Sequence, residues 1–128
     1  MTEAAGKYHF EIRVKTEYLR DQSSPDDDQF AFAYTVSILN EGVVAAQLIS
    51  RHWIIEDVAG QLAEVKGLGV VGHQPLIKPG EQFEYTSGSQ LRSANGSMHG
   101  SYFFVAEDGH RFDVDIPMFA LSVPRSLH

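Results

Sequence analysis

Residues Tyr8 to Tyr18 alternate without interruption. Tyr8, Phe10, Ile12, Val14, Thr16 and Tyr18 fall on one side of an extended chain, and His9, Glu11, Arg13, Lys15 and Glu17 on the other. A side-chain period of two belongs to a β-strand, and a strand this long with one apolar face needs a second layer to cover it. Phe30, Phe32, Tyr34, Val36 and Ile38 repeat the pattern against Ala31, Ala33, Thr35, Ser37 and Leu39, and Asn40-Glu41-Gly42 supplies the turn that ends it. Between these strands, Arg20 to Asp28 carries Gln22, Ser23, Ser24, Pro25 and three consecutive aspartates, which is the composition of an exposed loop.

The rest of the chain reads the same way. Val44 to Val58 is rich in β-branched and aromatic residues and predicts a third strand, with Trp53 and Ile55 on one face and Ile54 and Val58 on the other. Ala59-Gly60-Gln61 predicts a hairpin turn into a short fourth strand, Leu62 to Val65, that runs on to Gly67. Gly72, Pro75, Pro79 and Gly80 break any regular element. Phe83 and Tyr85 then face away from Glu84 and Thr86, in a strand closed by Ser87-Gly88-Ser89. The apolar run in Met98 to Ala106 reads as a strand covered on both faces, and Glu107-Asp108-Gly109 as a hairpin turn. In the last strand Phe112, Val114 and Ile116 alternate with Asp113 and Asp115, but after Pro117 the apolar phase moves to Phe119, Leu121 and Val123. That slip predicts a β-bulge or a change of partner. The pattern as a whole predicts an all-β sandwich or barrel.

Composition narrows the class. The 128 residues are 43% hydrophobic and 21% charged, enough to close one core without help. A net charge of -7 opposes a nucleic-acid or anionic-membrane partner. Zero cysteines exclude disulfides, thiolate metal sites and a cysteine nucleophile. No stretch of 18 apolar residues occurs and Met1 to Lys7 lacks a signal-peptide pattern, so membrane insertion is not expected and the location is read as cytoplasmic.

Tyr18-Leu19, Gln22-Ser23, Phe32-Ala33-Tyr34, Arg51-His52-Trp53, Glu64-Val65-Lys66-Gly67-Leu68-Gly69-Val70-Val71-Gly72, Gln74-Pro75, Pro79-Gly80, Tyr85-Thr86-Ser87-Gly88, Met98-His99-Gly100 and Ile116-Pro117 occur in that order. On these blocks the chain resembles the bacterial ApaG family, also called CorD, over residues 8–124. The resemblance implies a fibronectin type III or immunoglobulin-like β-sandwich of about seven or eight antiparallel strands. It divides the chain into a flexible N-terminus at 1–7, one ApaG domain at 8–124 and a tail at 125–128. It also implies an association with cobalt resistance and magnesium efflux, and kinship with domains at the ends of some eukaryotic F-box proteins and of a DNA-polymerase-interacting protein. No reaction comes with the resemblance, and the sandwich fold does not supply one.

Gly67-Leu68-Gly69-Val70-Val71-Gly72 matches a dinucleotide fingerprint as text, but that fingerprint works only where a helix follows at once. Gln74-Pro75 and Pro79-Gly80 exclude such a helix. The segment is therefore read as a surface turn in which at least one glycine has positive φ. Together with Arg51 and His52, the glycines Gly67, Gly69 and Gly72 form the candidate binding surface. No two of His9, His52, His73, His99, His110 and His128 have a metal-ligand spacing, and Asp26-Asp27-Asp28 lacks the glycine and distal glutamate of a calcium loop. No catalytic residue, metal or cofactor is assigned. The expected function is non-enzymatic recognition of a protein partner, with homodimerisation an open option. The alternative is a phosphate, pyrophosphate or divalent-metal binder using the Gly67–Gly72 loop or the acidic loop.

Overall fold

A computed structural model describes residues 6–58 and 60–124. The strands are β1 (Phe10–Tyr18), β2 (Phe30–Asn40), β3 (Ala46–Asp57), β4 (Leu62–Leu68), β5 (Leu76–Ile77), β6 (Gln82–Leu91), β7 (Asn95–Ala106) and β8 (Arg111–Ser122). They form two antiparallel sheets, one ordered β1-β2-β6 and the other β4-β3-β7-β8, with β5 pairing on β3 along the same edge as β4. This is the immunoglobulin-like, fibronectin type III sandwich. The terminal segments expected at 1–7 and 125–128 fall, apart from Gly6 and Lys7, outside the described residues.

The period-two residues build the core as expected. Phe32, Tyr34, Val36 and Ile38 on β2 face Leu48, Trp53, Met98, Tyr102, Phe104, Ile116 and Leu121 of the other sheet, and all are buried. Trp53 makes edge-on contacts with Tyr34, Tyr102 and Phe119, with centroids 5.4, 6.2 and 5.8 Å away. Such geometry lets the positive ring edge meet the negative face. The phase slip at Pro117 is a bulge: Gly100 pairs with Ile116 while Met98 pairs with Phe119, so β8 carries one residue more than β7 across this step. Both Ile116 and Leu121 consequently face the core.

Three readings need correction. Ser87-Gly88-Ser89 does not close a strand but lies inside β6, opposite Tyr34, Ala33 and Phe32. β6 is an edge strand, and one ladder from β2 holds small polar residues extended. The Met98 to Ala106 run is covered fully on one face only: Tyr102 and Phe104 are buried, whereas Phe103 and Val105 are half-exposed on the outer surface. The breaker-rich segment after Gly72 contains a further strand, β5, because the main-chain and side-chain groups around it are tied to β3.

The loop between β1 and β2 is exposed and comprises two 3-10 turns, Arg20–Gln22 and Pro25–Asp27. Its aspartates have turn duties: Asp27 accepts a hydrogen bond from the Ser24 hydroxyl at 2.7 Å, and Asp28 adopts φ 55, a left-handed conformation that aspartate tolerates.

Candidate functional site

A second bulge, at Ile49, builds the site. Leu48 pairs with Phe104 and Ser50 with Phe103, so Ile49 is extra on β3 and reverses which face its residues take. Ahead of the bulge, Ala46 and Leu48 point inward; after it, Arg51 and Trp53 share the inner face while Ser50 and His52 turn outward. Sequence alternation alone does not show this reversal.

The Gly67–Gly72 segment hooks onto this bulge. The Ile49 carbonyl accepts the Gly69 N–H at 2.8 Å and the Gln74 Nε2 at 2.9 Å, while Leu48 N donates to the Pro75 carbonyl at 3.0 Å. Arg51 Nη1 donates to the carbonyls of Leu68 at 3.0 Å and Gly69 at 2.9 Å. Gly67 lies opposite Arg51, and a Cβ there would stand 2.9 Å from the guanidinium. The Arg-His-Trp block, the glycine block and Gln74-Pro75 are thus one interlocked structure.

Two of the three glycines need their backbone freedom. Gly69 has φ +64, and a Cβ on it would lie 2.3 Å from the His73 carbonyl oxygen. Val70 and His73 exchange N–H···O bonds at 2.8 and 2.9 Å around Val71 and Gly72, both with positive φ, the signature of a type I′ turn. The N–H groups of Gly69, Val70 and His73 are therefore engaged within the protein, which removes donors that a phosphate cradle would use. Gly72 sits at the turn tip, away from Gly67.

On the outer face of the larger sheet, register places Leu68, Ser50, Phe103 and Asp113 in one row and Lys66, His52, Ser101 and Asp115 in the next. These rows frame a surface groove of about 500 Å³, to which Arg51 and Gly67 also contribute. Its floor offers apolar surface from Leu68 and Phe103, and its rim a cation, Lys66, and an anion, Asp113. His52 contacts the Glu64 carboxylate through Nε2, and Lys66 Nζ lies 4.0 Å from the same carboxylate. Of the five residues expected to form the binding surface, the structure brings Arg51, His52 and Gly67 to this groove, with Gly69 just beyond its end. Ser50, Lys66, Leu68, Phe103 and Asp113 join it through strand register alone. A depression of about 540 Å³ on the other sheet, lined by charged residues including Arg13, Lys15 and Glu84, contains none of the expected residues.

The histidines are dispersed. His9 pairs with Glu41 at 3.0 Å, His110 stacks on Tyr8 at 4.2 Å, and His128 lies outside the described residues. Among the described residues no three His, Asp or Glu side chains gather as a metal cluster.

A two-sheet sandwich of this topology, with a groove on the outer face of its larger sheet, defines the protein as a small immunoglobulin-like β-domain. The chain is 57% identical to Protein ApaG of Ralstonia nicotianae over 95% of its length and 98% of that protein's, and 61% identical to Protein ApaG of Nitrosomonas eutropha over 95% and 96%. The crystal structure of the protein assigned as ApaA from Bordetella pertussis superposes with a TM-score of 0.90 at 50% identity, covering 93% of this chain and 97% of that one. A family model described as the ApaG domain matches residues 20–106. The chain belongs to the ApaG family.

Proposed function

We propose that this protein is a non-enzymatic recognition module that binds a protein partner through the outer face of β4-β3-β7-β8, and that it serves cobalt resistance and magnesium efflux indirectly. The groove of about 500 Å³ carries this reading. It is open, it mixes apolar floor with charges of both signs, and it spans four strands, so its shape is fixed by the ladders beneath it. Exposed apolar side chains continue from it along the neighbouring edge, with Leu68 74% and Leu62 68% exposed. An interaction surface explains why a segment rich in glycine is held rigid by Arg51 rather than left open to a ligand.

The test pairs Phe103→Ala and Leu68→Ser, both outward-facing, with wild type in cells lacking the protein. Folded variants are expected to lose both partner capture and cobalt tolerance. Full complementation by both would remove the groove from the function. In the same preparations, millimolar Co²⁺ or Mg²⁺ is expected to leave thermal melting unchanged. A ligand bound only to the native state at 100 times its Kd adds about 2.7 kcal/mol, a shift too large to miss.

A further inference from the structure

β4 occupies an edge of its sheet and all its apolar side chains are at least partly exposed. Its hydrogen-bonding parity can be read from its two ends. Gln61 accepts from Asp57 N, and Gly69 donates to Ile49 O, so both point toward β3. Alternation along the strand then turns the main-chain groups of Ala63, Val65 and Gly67 toward β3, and those of Leu62, Glu64 and Lys66, with the Leu68 N–H, toward the free edge, while the Leu68 carbonyl accepts from Arg51.

The sequence of this strand, Leu62-Ala63-Glu64-Val65-Lys66-Gly67-Leu68, is self-complementary about its middle. Laid antiparallel on a second copy with a two-fold axis at Val65, Glu64 meets the other copy's Lys66, Leu62 meets Leu68, and the small residues Ala63 and Gly67 meet each other. In that register the residues facing across hydrogen-bonded positions are Leu62 with Leu68 and Glu64 with Lys66; the main-chain groups of Leu62, Glu64 and Lys66 point outward, and Leu68 adds its N–H, its carbonyl being held by Arg51. Charge, apolar contact and main-chain parity agree on one register. By contrast β1, an edge of the other sheet, paired on itself about its middle residue Val14 would set Arg13 against Lys15 and Glu11 against Glu17. An edge lysine ordinarily repels another strand; in the β4 register it finds a carboxylate instead.

We infer that the protein forms a homodimer by antiparallel pairing of β4 with β4 of a second copy, fusing the two larger sheets into one continuous sheet with Val65 on the two-fold axis. The inference does not depend on the groove reading, because it rests on the edge rather than the face. Opposite-charge pairs placed directly across a ladder are favourable and like pairs unfavourable, so reversing one charge of the pair makes both symmetry-related contacts repulsive.

Sedimentation velocity on the full-length protein tests this. Wild type is expected to be a dimer across the micromolar range. Glu64→Lys and Lys66→Glu, each alone, are expected to weaken the dimer by roughly tenfold or more. An equimolar mixture of the two variants restores complementarity, Lys to Glu at both contacts, and is expected to recover a dimer of wild-type strength. Recovery in the mixture also proves that each variant is folded. A wild type that stays monomeric, a dimer indifferent to both single reversals, or a mixture that stays as weak as its parts would each overturn the pairing.

Discussion

The phenol oxygens of Tyr85 and Tyr102 stand 2.5 Å apart inside the sandwich, one from each sheet. Both side chains are buried, Tyr102 completely, so each hydroxyl satisfies the other where no water reaches. The pair ties β6 to β7 and lies beside Trp53, at the centre of the aromatic cluster.

Removing both members of this pair is expected to cost less than the two single removals added together. Tyr102→Phe leaves the Tyr85 hydroxyl buried without its partner and should lower stability by about 1–3 kcal/mol. The double Tyr→Phe variant should cost less than the sum of the single changes, because both polar groups leave together. Urea unfolding of the four proteins measures the coupling. Strict additivity would mean that the two hydroxyls do not depend on each other.

The same pair makes the fold sensitive to alkali. Burial, ahead of any other cause, pushes both phenols well above their ordinary value near 10. The unfolded chain therefore releases these protons first, and the stability they confer is complete below pH 10 and lost as the pH rises beyond it. Each tyrosine contributes a slope of about 1.4 kcal/mol per pH unit in that range. Unfolding midpoints against pH should fall more steeply for wild type than for the double Tyr→Phe variant. Parallel slopes would count against the assignment.

Trp53→Ala is expected to cost roughly 3–5 kcal/mol, the scale of large aromatic truncations in a packed core. Trp53 is 2% exposed and touches three other aromatic rings, yet its Nε1 finds no hydrogen-bond acceptor among the described residues. Trp53→Phe should be markedly milder than alanine, since it keeps much of the volume and deletes the orphaned donor. A melting change of under a couple of degrees for Trp53→Ala would show that the ring does not hold the two sheets together.

The strands were legible because a half-buried sheet writes its period into the chain. Tyr8 to Tyr18 and Phe30 to Ile38 show it plainly, and Pro117 marked its own bulge. Ile49 did not mark the other one. Ile49-Ser50-Arg51-His52 offers no proline or glycine to signal the change of phase, and its consequence, Arg51 turned inward beneath the glycine block, emerges only when β3 is paired. Ser50, Phe103 and Asp113 are far apart in the chain and become neighbours through register, which no local pattern encodes. Ser87-Gly88-Ser89 misled because turn residues also serve on an edge strand.

Asn40 was legible as a turn residue but not as a buried one. It is 1% exposed; its Nδ2 donates to the carbonyls of Val44 at 3.0 Å and Ile77 at 2.9 Å, and its Oδ1 accepts the Gly42 N–H at 2.8 Å. Asn40→Ala is expected to cost about 2–4 kcal/mol by stranding these groups. Asn40→Asp directs a carboxylate at two carbonyl oxygens, so its folded form favours the protonated acid and raises its pKa. The variant should therefore gain stability relative to wild type as the pH falls toward 4, the unfolded value of an aspartate. A penalty independent of pH would show that the carboxylate has turned out to solvent.

The glycine block gives a ranked series. Gly72 has φ +82 but open space around its Cα, so Gly72→Ala should cost roughly 1 kcal/mol from backbone strain alone. Gly67 has no such strain; an added methyl group meets the far end of the Arg51 side chain at 2.9 Å, which can swing away at the expense of its bonds to Leu68 and Gly69. Gly69→Ala combines φ +64 with a contact of 2.3 Å to the main-chain oxygen of His73, which belongs to a closed turn and has little freedom to yield. Its cost should reach roughly 3 kcal/mol or more. This makes Gly69→Val a change to the fold as much as to the surface. Chemical denaturation of the three alanine variants decides the matter: Gly69 must be the worst, and a series led by Gly72 would mean that the turn, not the junction with β3, is the rigid element.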